Sequence, residues 1–189
     1  MNVEKQVAKL IARIAENLPS MGRADRQRWI DDPVGLQEFL RGLIPHESDL
    51  LKFVESVAVE GADDRFVVDD RALEEADAYA ESSFDRLFRG KVEEGIPRAE
   101  LNVHELKKAS VDGPILKELG DKNEICLFHF LKCLKGRRGW HFAYIRGYGG
   151  KLCVVGANRY DVDGCWRVEA LSVGSPGGWF TCSRVVSGK

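Results

Sequence analysis

The sequence predicts an α+β fold, with N-terminal helices packed on a C-terminal four-stranded antiparallel β-meander. Three observations lead there. Through the first two-thirds of the chain, apolar residues recur at three- and four-residue spacing. From Trp140 onward, short runs rich in Trp, Tyr, Phe and Val alternate with turn residues. The 189 residues are 44% apolar, enough to give a small sheet the helical cover that its apolar face needs.

The elements follow in order. Val3, Val7, Leu10, Ile11, Ile14 and Leu18 form an apolar stripe over 3–18, and Pro19 stops it. A second helix starts at Asp32-Pro33, where Asp32 suits the N-cap and Pro33 the first turn. Leu36, Phe39, Leu40 and Leu43 are its stripe. A third helix is predicted from Ser48 to Ala58. Residues 61–70 form a break with a short strand at Arg65–Val68. Helical spacing returns over 71–88, and Gly90 ends it. Residues 101–108 are extended. Gly113-Pro114 opens a short helix closed by Gly120, and Glu124–Leu134 is the last helix. Strands are expected at 140–146, 151–157, 165–173 and 179–186, joined by turns at Tyr148-Gly149-Gly150, Asp161–Gly164 and Ser175–Gly178. The expected organisation is a helical region over 1–60 and an α+β core over 61–189, or one domain over 1–189.

Composition narrows the function classes. No apolar run approaches a membrane span. The first residues, MNVEKQVAKLIARIAENL, lack the unbroken apolar block of a signal peptide. The five cysteines are odd in number and contain no CxxC, as expected of free thiols in a reducing, cytoplasmic setting. Charge is uneven within a net of −2. Residues 60–86 hold ten Asp or Glu against three Arg, whereas 137–189 hold eight basic residues against three acidic. Such a field either attracts a polyanion or is neutralised within the fold, and internal use is the leading reading.

Several motifs invite a chemical reading. Cys126-x-x-His129-x-x-x-Cys133 puts three zinc-type ligands on one helical stripe. Its neighbours Leu127, Phe130, Leu131 and Leu134 favour a buried core stripe instead. Asp161-x-Asp163-Gly164 matches the start of a calcium loop but lies between strands, where Asp-Gly is hairpin chemistry. The glycines at 147–150 and 174–178 feed strands, not the helix N-terminus of a phosphate cradle. No metal and no cofactor is expected. A catalytic alternative, a small hydrolase or transferase, would use His129 or His141 as the acid–base group with Asp161 or Asp163 nearby.

The basic, aromatic C-terminal sheet is the leading candidate site. Arg137, Arg138, Trp140, Tyr148, Arg159 and Trp179 are the residues singled out. Rings that stack on bases or fill pockets, beside cations that hold phosphates or carboxylates, are what binding surfaces use. Strict alternation in Trp166-Arg167-Val168-Glu169 argues that some rings are core and the charges face water.

Two segments carry a family resemblance. They are Phe88-Arg89-Gly90-Lys91-Val92-Glu93-Glu94-Gly95-Ile96-Pro97 and Val103-His104-Glu105-Leu106-Lys107-Lys108-Ala109-Ser110-Val111-Asp112-Gly113-Pro114-Ile115. With Tyr144-Ile145-Arg146, Trp166-Arg167-Val168 and Ser175-Pro176-Gly177-Gly178-Trp179, the chain resembles a group of short bacterial hypothetical proteins, best over 84–189. The group has no assigned activity, so the resemblance implies a bacterial, cytoplasmic setting and no chemistry. His129 falls where such proteins also have a histidine, and the cysteines are particular to this chain.

The expected function is therefore that of a non-catalytic binding or interaction protein. Its partner would be a protein or a nucleic acid and not a membrane. The apolar stripe of 3–18 also suits a homo-oligomer seam.

Overall fold

Strand pairing organises the chain. The computed structural model describes Gln27 and residues 31–35, 49–159, 164–175 and 177–189. The chain divides into two units, Met1–His46 and Glu47–Lys189. In the first, the Gly35 backbone N–H donates to Asp32 Oδ1 at 2.8 Å. Residues 33–35 are helical, as the Asp32-Pro33 pair predicts. The predicted helix at 3–18 and the stripe Leu36, Phe39, Leu40, Leu43 lie outside the described residues.

In the second unit the strands are β1 (Leu51–Val59), β2 (Phe66–Val67), β3 (Ala78–Ala80), β4 (Val92–Glu93), β5 (Ala99–Leu106), β6 (Gly139–Arg146), β7 (Leu152–Arg159), β8 (Trp166–Ser172) and β9 (Arg184–Gly188). The helices are α1 (Asp70–Glu75), α2 (Ser82–Phe88), α3 (Asp112–Leu119) and α4 (Leu127–Cys133). Seven strands make one mixed sheet in the order β1-β5-β9-β6-β7-β8-β3, and β2 pairs with β4 separately.

This corrects the predicted four-stranded antiparallel meander. β6, β7 and β8 do follow one another antiparallel, joined by turn glycines of positive φ at Gly149, Gly150 and Gly164. β9 does not continue beside β8. It pairs parallel to β6 and antiparallel to β5, and β3 takes the place beside β8 in parallel. β8 and β9 thus run the same way, so the chain between them must cross the face of the sheet. Central strands buried on both faces explain the choice. Val185, Val186 and Ser187 of β9 are all buried, as is every residue from His141 to Ile145.

Three helix assignments also change. The predicted helix 48–58 is the strand β1. Its apolar spacing fits a helix, but the β-branched Val54, Val57 and Val59 lie along a run paired residue by residue with β5, with a bulge between Phe53 and Glu55. The predicted helix 71–88 is split into α1 and α2. Asp77 adopts a left-handed φ of 53°, and Ala78–Ala80 then pair with β8. The last helix starts at Leu127 instead of Glu124, because Glu124 bridges to Tyr144 and the Ile125 N–H donates to the Tyr144 carbonyl.

The two sheet faces carry separate cores. On one, α1, α2 and α4 bring Leu73, Phe84, Phe88 and Phe130 against Ala143, Val155 and Trp166. On the other, Ile115 and Leu119 of α3 cover Phe142, Tyr144, Val154 and Val185. The start of α4 is fixed from a distance. Glu93 accepts from the Leu127 and Phe128 backbone N–H groups at 2.9 Å each, satisfying donors that a helix leaves open at its N-terminus.

Candidate binding site

The chain crossing from β8 to β9 shapes the site. Pairing places Trp140, Phe142 and Tyr144 opposite Asn158, Gly156 and Val154, which in turn face Arg167, Glu169 and Leu171. Side chains alternate along a strand, so these residues share the α3 face. The crossing segment lays Trp179 on that face. Its ring stacks on Phe142 with centroids 3.9 Å apart and planes 6° from parallel. The ring lies close over Gly156, where a Cβ would stand 3.4 Å from it, at van der Waals contact.

Asp112 pins the segment. Its Oδ1 accepts from Trp179 Nε1 at 2.9 Å and from the Tyr144 hydroxyl at 3.1 Å, and its Oδ2 from the Gly174 N–H at 2.9 Å. Ser110 and Trp179 exchange two backbone hydrogen bonds beside it. Burial, together with the Asp112 carboxylate, pushes the Tyr144 phenol far above its ordinary pKa, so it stays protonated and can donate to Asp112.

Beside the pinned ring lies a cavity of about 220 Å³, lined by Asp112, Trp140, Val154, Glu169, Leu171 and Trp179 together with the loop of Gly177, Gly178 and Phe180. Trp140 and Trp179 are half-buried. One face of Trp179 is taken by Phe142, and the ring also lines the cavity. Of its lining residues, Phe180 is 71% exposed and Leu171 39%. Glu169 is half-buried and, among the described residues, has no hydrogen-bond or ion-pair partner. Asp112, by contrast, is saturated by three donors.

The six residues singled out from sequence are dispersed. Trp140 and Trp179 meet in this cavity. Arg137 forms an ion pair with Glu55 and donates from Nε to the Cys133 carbonyl at 2.7 Å. Arg138 is exposed in the turn before β6. Arg159 points to the opposite face, where it pairs with Asp77 at 2.8 Å. Tyr148, 74% exposed, stands in the turn at the far end of β6. Other basic groups of the sheet are paired too, Arg146 with Glu124 and Arg167 with Glu81 at 2.8 and 2.6 Å. Trp166 is fully buried against His141.

The zinc-type triplet does not converge. Cys126 and His129 border a groove with Glu93 and Pro97, but Cys133 is buried next to Arg137. His129 Nε2 donates to the Pro97 carbonyl at 2.9 Å. Burial pushes the Cys126 thiol up to about 11 and also raises Cys133, which disfavours the thiolates that metal binding or nucleophilic attack needs. No cluster of three metal-ligating side chains occurs among the described residues. His141 is fully buried and held down to about 4 by burial. Asp161 and Asp163, its suggested partners, lie outside the described residues.

Sequence reasoning missed Asp112, Glu169, Leu171 and Phe180. Asp112 reads as ordinary helix-start chemistry before Gly113-Pro114, and only the crossing segment gives it a second role. Glu169 was legible as a residue opposite Trp166, but its aromatic neighbours come from other strands. No protein-family model, curated protein or solved structure matches this chain.

Proposed function

We propose that this protein is a non-catalytic interaction module that holds a segment of a protein partner in the aromatic cleft on the α3 face of its sheet. The observation that carries this reading is the pairing of two half-buried indoles, Trp140 and Trp179, in one cavity with exposed apolar residues at its rim. Large, rigid rings in a partly desolvated pocket are what anchor protein contacts, and contiguous exposed apolar surface marks such sites. A protein partner is favoured over a nucleic acid because Arg137, Arg146, Arg159 and Arg167 are committed to carboxylates within the fold. A polyanion site would instead need those cations for phosphates.

No described helix is long and apolar enough to cross a membrane. The test pairs two assays on the full chain: selection from a random peptide display library, and anisotropy of labelled oligonucleotides across a salt series. The reading expects enriched peptides whose binding is lost in Trp140→Ala and kept in Tyr148→Ala. Salt-sensitive oligonucleotide binding that survives Trp140→Ala would overturn it.

A further inference from the structure

We infer that the cleft recognises a basic side chain, arginine or lysine, presented by an extended segment of a partner protein. This rests on the proposed interaction role and adds the chemistry of the ligand. The cleft combines two features that together select a cation. Its walls include the indoles of Trp140 and Trp179 and the ring of Phe180, whose faces are negative and attract a cation stripped of water. Its floor holds Glu169, a half-buried carboxylate with no partner among the described residues. No lysine or arginine is among the described residues that line the cavity, and the nearest cation on the same strand face, Arg167, is paired with Glu81 at 2.6 Å.

The charge balance of the cavity is therefore negative, although the surrounding sequence is basic. Asp112 adds to that field without competing for the ligand, because its oxygens are already occupied by Trp179, Tyr144 and Gly174. A guanidinium matches the geometry well. It stacks flat on indole and donates in parallel to a carboxylate.

The rim distinguishes a peptide from a free small cation. Leu171 and Phe180 line the cavity and remain exposed at its mouth. A small cation would leave them wet, whereas residues flanking an arginine in a chain would cover them.

The experiment uses the full chain and four blocked pentapeptides, acetyl-Ala-Leu-X-Leu-Ala-amide, with arginine, lysine, citrulline or glutamate as X. Affinity is read by calorimetry. The arginine peptide is expected to bind about tenfold more tightly than the citrulline peptide, which has the same shape without the charge. Glu169→Gln is expected to erase that difference while leaving the thermal midpoint unchanged. Equal binding of the arginine and citrulline peptides, both lost in Trp140→Ala, overturns the cation assignment and leaves the interaction reading standing. Binding of ethylguanidinium as tight as that of the peptide overturns the peptide assignment. No binding of any peptide overturns both readings.

Discussion

The Asp112 carboxylate accepts a hydrogen bond from the Trp179 indole at 2.9 Å, joining residues 67 apart in sequence. The bond ties the first turn of α3 to the segment that crosses the sheet, and so holds one wall of the cleft. The same oxygen also accepts from the buried Tyr144 hydroxyl. Asp112→Ala strands both donors and the Gly174 N–H. It should cost about 2–4 kcal/mol of unfolding free energy, read by urea denaturation. Asp112→Asn keeps an acceptor for Trp179 but turns an amide N–H₂ toward the Gly174 N–H, so a smaller loss is expected. An Asp112→Ala protein as stable as wild type would show that the crossing segment is held by other means.

A second long-range cap is Glu93 at the start of α4. Its side chain is 8% exposed, accepts two backbone N–H groups and pairs with Lys91 at 2.5 Å. Glu93→Gln keeps one acceptor, places a donor against a donor and removes the charge opposite Lys91. The expected destabilisation is about 1–3 kcal/mol, with the amides of Leu127 and Phe128 losing protection from hydrogen exchange.

Acid should destabilise the fold through His141. Its ring is fully buried, which disfavours the proton most; the Gly139 carbonyl opposes that, Arg184 and Arg137 add to it, and Glu55 opposes it least. Burial dominates, and it lowers the pKa from its ordinary 6.5 to about 4. The unfolded chain therefore binds the proton more readily, and stability is lost as pH falls from about 6.5 through about 4. The loss attributable to this group is on the order of 3 kcal/mol. His141→Phe, which fills the same place beside Trp166, should flatten the stability profile in that window. An unchanged profile would assign the acid sensitivity to other groups.

Gly61 tests backbone packing. A Cβ there would stand 2.3 Å from the Ile96 carbonyl oxygen and 2.7 Å from the Pro97 carbonyl carbon, both backbone atoms that cannot rotate away. Next to it, the Ala62 N–H donates to that same Ile96 carbonyl at 2.9 Å. Gly61→Ala is expected to cost about 1–3 kcal/mol, visible as a lower denaturation midpoint.

These residues also show what was legible in the sequence. β5, the β6–β7–β8 hairpins and α3 follow from alternation, turn glycines and the Gly113-Pro114 start, all local signals. β1 was hidden because Leu50, Leu51, Phe53, Val54 and Val57 read as the inward face of a helix, and only pairing with β5 decides the matter. The position of β9 depends on which strand edges remain open after β6, β7 and β8 have paired, and no window of sequence encodes that. The arginines of the sheet looked like a surface for a polyanion. Arg159 and Arg167 find Asp77 and Glu81 of the acidic segment instead. Of the six residues chosen for the site, the two tryptophans meet because the crossing segment returns over β6, and the others are separated by strand alternation or by the length of the hairpin.

The most direct test follows the indole N–H signals of the isotope-labelled full chain by NMR while the arginine pentapeptide is added. Of the four indoles, Trp140 and Trp179 line the cleft, Trp166 is buried on the opposite sheet face and Trp29 lies outside the described residues, so the first three each report on a known place. The account predicts saturable shifts of the Trp140 and Trp179 signals with Trp166 unmoved. An unchanged Trp140 and Trp179 pair, or shifts confined to Trp166, would contradict the cleft as the binding site.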